Sequence, residues 1–154
     1  MFERLISVGR CTKVTKGGRN FSFSVIMVIG NKKGKVGYGL GKAMEIVDAR
    51  EKAVYMAKKT MYKIPLKQNR TIYHKVVGEF CSSKVIIMPA SIGRGIVAGG
   101  AIRIIFDVLG IQDIVAKSLK SNNPHNTIKA TINGLLQIQS PRYIMKKRNK
   151  NFKT

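Results

Sequence analysis

The stretch Pro89-Ala90-Ser91-Ile92-Gly93-Arg94-Gly95, placed just ahead of a segment with helical spacing, is the part of this chain best suited to hold an anion. Free backbone amides at a helix start point toward a bound phosphate and carry the positive end of the helix dipole. Phosphoryl transfer would also need carboxylates to hold magnesium, and often a base. The second half of the chain offers only Glu79, Asp107 and Asp113, and Asp107 stands four residues after Arg103, the spacing of a surface ion pair on one helix. Gly37-Tyr38-Gly39-Leu40-Gly41-Lys42 has the glycines of a nucleotide loop but the spacing of neither the dinucleotide fingerprint nor the Walker loop. Nucleophilic catalysis has no better basis. Cys11 falls inside a strand pattern, Cys81 lies in a connection, and neither has His74 or His125 beside it in sequence. The cysteines lack CxxC spacing, so no metal site is expected. A small-molecule phosphotransferase is therefore a rival reading that is short of acids, and the expectation is a non-enzyme with no catalytic residues and no cofactor.

What the chain has in excess is positive charge. Its 29 Lys and Arg stand against 7 Asp and Glu, a net charge of +22 over 154 residues. Such a chain repels itself unless a polyanion neutralises it, which points to nucleic acid as the partner. With 44% hydrophobic residues it is too apolar for a disordered basic tail and is expected to fold. No apolar run approaches the roughly 20 residues of a membrane span, and the first segment lacks the pattern of a signal peptide, so a soluble, internal protein with no membrane partner is expected.

Two glycine-flanked turns concentrate the charge. One holds Lys16 and Arg19, the other Lys32, Lys33 and Lys35, and no acid occurs between Arg4 and Lys42. Cations projected from turns are what a phosphate-tracking surface requires. Phe21 and Phe23 could stack on bases, but their alternation with Val25 and Met27 favours core packing. Tyr38, between Gly37 and Gly39, stays open between packing and a place where backbone presses against a sugar-phosphate strand.

The elements that must position these residues follow from periodicity. A strand from Leu5 to Lys16 turns through Lys16-Gly17-Gly18-Arg19 into a strand with Phe21, Phe23, Val25, Met27 and Ile29 on one face, while Asn20, Ser22 and Ser24 begin the other. A third, glycine-rich strand spans Lys35 to Leu40. A helix from about Met44 to Tyr62 covers the sheet through Ile46, Ala49, Ala53 and Met56, and exposes Arg50, Lys52, Lys58 and Lys59. A linker near residue 66 then separates a unit spanning 1–66 from one spanning 67–141.

In the second unit, Thr71–Val77 and Lys84–Pro89 read as strands around a connection from Gly78 to Ser83. A helix buries Ala98, Ala101, Ile102, Ile105 and Leu109 and stops at Gly110. Ile111–Leu119 is a further strand, and Asn123-Pro124 caps a helix with Ile128, Ile132 and Leu135 on its buried stripe. A basic tail, 142–154, carries Arg142, Lys146, Lys147, Arg148, Lys150 and Lys153 and is expected to be extended or disordered when unbound. The fold class is thus α+β: two small domains, a three-strand sheet with one helix, then a mixed α/β unit with a four-strand sheet and two helices.

Several of these motifs occur in order along the chain. They are Lys16-Gly17-Gly18-Arg19-Asn20-Phe21-Ser22-Phe23, Val36-Gly37-Tyr38-Gly39-Leu40-Gly41-Lys42-Ala43, Pro89-Ala90-Ser91 with Gly93 and Gly95, Ala98-Gly99-Gly100-Ala101, and Ser121-Asn122-Asn123-Pro124 with Ala130-Thr131-Ile132. With them the chain resembles, from Leu5 to Pro141, the small-subunit ribosomal protein five family of the bacterial and organellar type. The resemblance implies a first domain of the double-stranded-RNA-binding type and a second whose fold is shared with certain kinases and chaperone domains. It implies a structural constituent of the small ribosomal subunit that binds rRNA, helps form the region where messenger RNA enters, and supports decoding accuracy in translation. It places ribosomal proteins four and eight as partners, with protein three nearby and messenger RNA as a further contact. It locates the protein in the cytoplasmic ribosome of a bacterium or in a plastid or mitochondrial ribosome.

Carried over residue by residue, the resemblance puts Lys13, Lys16, Gly17, Gly18, Arg19 and Phe21, and the glycine strand with Gly37, Tyr38, Gly39 and Lys42, at rRNA. The turn and helix around Gly95 to Arg103 then face protein four. The chain departs from the family pattern in beginning almost at its first strand, and in carrying Ile92 and Arg94 where smaller or acidic residues are expected.

Overall fold

A computed structural model describes residues 1–149 of the chain. Strands β1 (Phe2–Thr15), β2 (Gly18–Gly30), β3 (Lys35–Ala43) and β4 (Met61–Lys63) form an antiparallel sheet in that order, with helix α1 (Ile46–Lys59) between β3 and β4. The fourth strand takes residues expected to end the helix. Thr60 caps α1, its hydroxyl donating to the Tyr38 carbonyl at 2.8 Å, and Met61 to Lys63 then pair with Gly37 to Lys35.

The covering face of α1 is built from alanine, not from the larger residues expected. Ala49, Ala53 and Ala57 are buried, whereas Ile46 and Met56 are exposed. The reason lies in β3, where Gly37, Gly39 and Gly41 are opposed to those three alanines. A Cβ on Gly39 would sit 2.6 Å from the Ala57 nitrogen and closer still to the Ala53 carbonyl oxygen, and one on Gly41 would meet Ala53 and Ala49 in the same way. The helix axis therefore lies too near the sheet for bulkier side chains between them.

The second sheet has the order β5 (Val76–Phe80), β6 (Ser83–Pro89), β8 (Ile114–Ser118), β7 (Ile96–Val97), with only the β7–β8 pair parallel. Residues 71–75 are not strand, and Gly78 is not in the connection: it pairs with Val85, leaving Cys81 and Ser82 as the turn. Helix α2 (Gly100–Leu109) ends at Gly110, whose φ of 86° gives the left-handed cap that its sequence position implies. Helix α3 (Pro124–Leu136) starts as expected, the Asn123 side chain accepting from the His125 amide at 3.1 Å.

The two units share one core. The face of β2 that begins with Asn20, Ser22 and Ser24 continues as Ile26 and Val28, and these belong to one buried cluster with Ile105, Phe106 and Leu109 of α2, the helix that packs β2, and with Ile128 and Leu135 of α3. The first sheet is thus covered by α1 on one side and by the second unit on the other, which explains the unbroken apolar run Val25 to Ile29. Polar seams reinforce the contact. Asp107 pairs with Arg4 of β1 at 3.7 Å, not with Arg103 of its own helix.

The tail expectation is corrected for part of its length. Residues Pro141–Lys147 form a helix, α4, begun by Ser140, whose hydroxyl accepts from the Tyr143 amide at 3.3 Å. Ser140-Pro141 repeats the cap grammar of Asn123-Pro124, a signal readable in sequence. Lys150 and Lys153 lie outside the described residues.

Candidate nucleic-acid interface

The turn at Lys16-Gly17 sets a register that decides which arm residues share a face. Counting outward, Thr15 pairs with Gly18, Lys13 with Asn20, Thr12 with Phe21 and Arg10 with Phe23. Strand β3 joins β2 only from Phe23 to Gly30, so Gly18 to Ser22 have β1 as their single neighbour. The result is a two-stranded arm that projects past the sheet, exposed from Arg10 through Phe21. It carries Arg10, Lys13, Lys16 and Arg19 and no acid.

Directly paired residues point to the same side, so the arm has two chemically different faces. One is small and polar: Thr15 and Gly18, Lys13 and Asn20, Cys11 and Ser22, then Ser24 opposite Lys42 at the root. The other holds Val14 with Arg19, Thr12 with Phe21, and Arg10 with Phe23. Phe21 is 43% exposed, because α1 covers β2 only from Val25 inward. The expectation that Phe21 packs in the core is therefore wrong, while Phe23 is half-buried at the arm's root. The Arg10 guanidinium lies 4.0 Å from the Phe21 ring centre.

The second cationic turn is at the other end of the sheet. At about 3.3 Å per residue, β2 separates the two turns by roughly 40 Å. The Lys32 and Lys33 turn is also held rather than free. Asn31 accepts from the Lys33 and Lys35 amides at 2.8 and 3.0 Å, and Lys32 and Gly34 donate backbone amides to Val108 and Leu109 at the end of α2. The lysine side chains remain exposed, close to the negative end of that helix.

Among the remaining sites named from sequence, Gly37 and Gly39 are buried beneath α1, so their small size serves helix packing instead of a close approach to RNA backbone. Tyr38 points to the opposite side and lines a small pocket of about 120 Å³ with Tyr62, Phe80, Lys129, Ile132 and Asn133. Burial, with Tyr62 as a lesser contributor, raises its phenol above the usual range. On α1, Arg50 and Lys58 each approach Glu3 at 3.9 Å, so that face is a mixed-charge surface.

The glycine turn before α2 already holds an anion, and the anion is part of the chain. Asp113 is 3% exposed at its side chain, pairs with the Arg70 guanidinium, and accepts from the Gly93 and Gly95 amides at 3.0 Å each. The Arg70 hydrogen bond, then the Gly95 amide, hold its carboxyl below the usual carboxylate range despite its burial. A phosphate has no claim on amides so occupied, and the acid needed for magnesium is spent within the turn. Cys11 lies beside Ser24, and His74 accepts from the Gln139 amide. Arg103 is exposed on α2, and Ile92 and Val97 are exposed close by in the chain.

Arg10 is the functional candidate that the sequence reading missed. Its signal was the register: a two-residue turn at Lys16-Gly17 places it diagonally from Phe21.

Comparison with known proteins agrees with this architecture. Residues 1–65 match the family "Ribosomal protein S5, N-terminal domain", and residues 78–148 match "Ribosomal protein S5, C-terminal domain". The chain is 54% identical over 146 residues to the small ribosomal subunit protein uS5 of Orientia tsutsugamushi, covering 95% of this chain and 85% of that protein. It is 51% identical over 148 residues to that of Wolbachia pipientis wMel, covering 96% and 87%, and 50% identical over 148 residues to that of Ehrlichia ruminantium, covering 96% and 85%. With both family domains matched in order along the chain, and half of its residues shared with these bacterial proteins, the chain belongs to the ribosomal protein S5 family of the small ribosomal subunit.

Proposed function

We propose that the chain binds small-subunit rRNA chiefly through the β1–β2 arm, with Lys13, Lys16, Arg19 and Lys42 neutralising phosphates and the backbone at Gly17 and Gly18 permitting close approach. As a member of a structural ribosomal family, it is not an enzyme. The observation that carries the reading is the arm itself: four cations, no acid, and a two-stranded ribbon that buries little on its own. Isolated two-stranded ribbons are marginally stable in water, so such an arm gains order from its partner. Lys32, Lys33 and Lys35 form a separate contact at the far end of the sheet.

In the same reading, the surface from Gly95 to Arg103, with exposed Ile92 and Val97, docks on ribosomal protein four, while protein eight also touches the chain and protein three lies nearby. The chain there borders the path by which messenger RNA enters and supports decoding accuracy.

The test is the salt dependence of affinity for purified small-subunit rRNA. The logarithm of affinity falls linearly with the logarithm of salt, with a slope on the order of −6 if about seven phosphates are neutralised. Replacing Lys13, Lys16 and Arg19 together with alanine flattens that slope by about 3. An affinity independent of salt overturns the proposal.

A further inference from the structure

We infer that Arg10 and Phe21 form a stacking platform that takes one unpaired nucleobase of the RNA. The inference rests on the rRNA-binding reading above and adds the chemical class of one subsite. An exposed apolar ring is by itself ordinary on a protein surface, and what sets Phe21 apart is its place on an acid-free cationic arm beneath a guanidinium. Here the ring is not alone. Arg10 from the paired strand lies over it at 4.0 Å, and Phe23 and Thr12 share the same face.

A guanidinium held over an aromatic ring offers a planar partner both a cation and a π-face, and a nucleobase is the planar group a cationic arm will meet. The division of the arm supports this. Lys13 and Lys42 stand on the small polar face, where phosphate contacts do not compete with the ring, and Arg19, on the ring's own face one pair nearer the tip, is placed to hold the phosphate of the nucleotide that stacks. A base inside a duplex offers no open face, so the platform selects a bulged or looped nucleotide.

The substitutions are safe for the fold, because Phe21 lies on the arm outside both buried clusters. The chain has no tryptophan and five tyrosines, so Phe21→Trp introduces a single tryptophan at the platform that can be excited apart from them. The probes are a twelve-nucleotide oligoadenylate and an abasic oligomer of equal length and charge, titrated into the full chain. The wild type binds oligoadenylate about tenfold more tightly than the abasic oligomer, the gain of stacking one base. Phe21→Leu removes most of that difference while leaving abasic affinity and its salt slope unchanged. Phe21→Trp keeps the difference, and its fluorescence is quenched by oligoadenylate but not by the abasic oligomer.

Equal binding of the two oligomers by wild type, with a steep salt slope, overturns the platform and leaves the rRNA reading standing. So does a Phe21→Leu chain that retains the full difference, which would assign this face to a protein neighbour. Loss of any salt-dependent binding to either oligomer and to rRNA overturns both.

Discussion

Gly39→Ala is expected to destabilise the protein by about 3 kcal/mol, which at this chain length lowers the melting temperature by roughly 10 °C. The methyl group has nowhere to go. It would meet the Ala53 carbonyl and, at 2.6 Å, the Ala57 nitrogen, both backbone atoms of α1 that cannot swing aside as a side chain would. Relief requires lifting the whole helix from the sheet, and that lift also loosens Ala49 and Ala57 over Gly41 and Gly37. Gly17→Ala is the control. Its Cβ meets nothing within 4 Å, and the change is expected to stay within about 0.5 kcal/mol of wild type. Urea and thermal melts of the two variants decide the matter. If Gly39→Ala melts with the wild type, the helix-to-sheet distance does not depend on the glycine stripe.

Removing the Asp113 carboxylate has the second large effect. Asp113→Asn keeps the size of the side chain but loses the charge that holds Arg70 and both glycine amides. The Ser91 to Gly95 turn then opens more often. Amide exchange at Gly93 and Gly95 should rise about tenfold, the loss of one charge-assisted hydrogen bond. The pH dependence has a definite sign. Because the folded carboxyl titrates below its ordinary value of 3.8, its stabilisation is complete above that pH and is lost as the pH falls further, through the folded value. Wild type should therefore lose stability in the range below pH 3.8 in a way that Asp113→Asn does not. Glu79→Gln is the comparison. Glu79 is also held below its usual range, by Lys84, but its side chain is 61% exposed, and solvent screening leaves that pair with little influence on the fold. Identical acid unfolding of wild type and Asp113→Asn would show that the turn does not depend on this carboxylate.

Both predictions concern features whose residues were visible in sequence with another meaning attached. In sequence the glycines of β3 suit either packing or the approach of RNA backbone, and the glycines before α2 suit amides that hold an anion. The residue types were right for close approach and for anion binding. What they approach and which anion they bind depend on residues distant in the chain: α1 for the first, Asp113 and Arg70 for the second.

Net charge determined the class of partner by itself, because charge is a sum over residues and needs no geometry. Local grammar was equally legible. The Asn123-Pro124 start of α3, the Gly110 stop of α2 and the alternation of β2 are short-range rules that act through neighbours in sequence, and the ordered motifs carried the family. Tertiary structure alone decided the rest. It joined the two units through Ile26 and Val28 into one core and paired Asp107 with Arg4. It set the cationic turns at opposite ends of β2, and it ended the cover of α1 short of Phe21, leaving that ring exposed under Arg10. Burial is a property of what lies opposite, and a sequence pattern specifies which face is apolar without specifying where its cover ends.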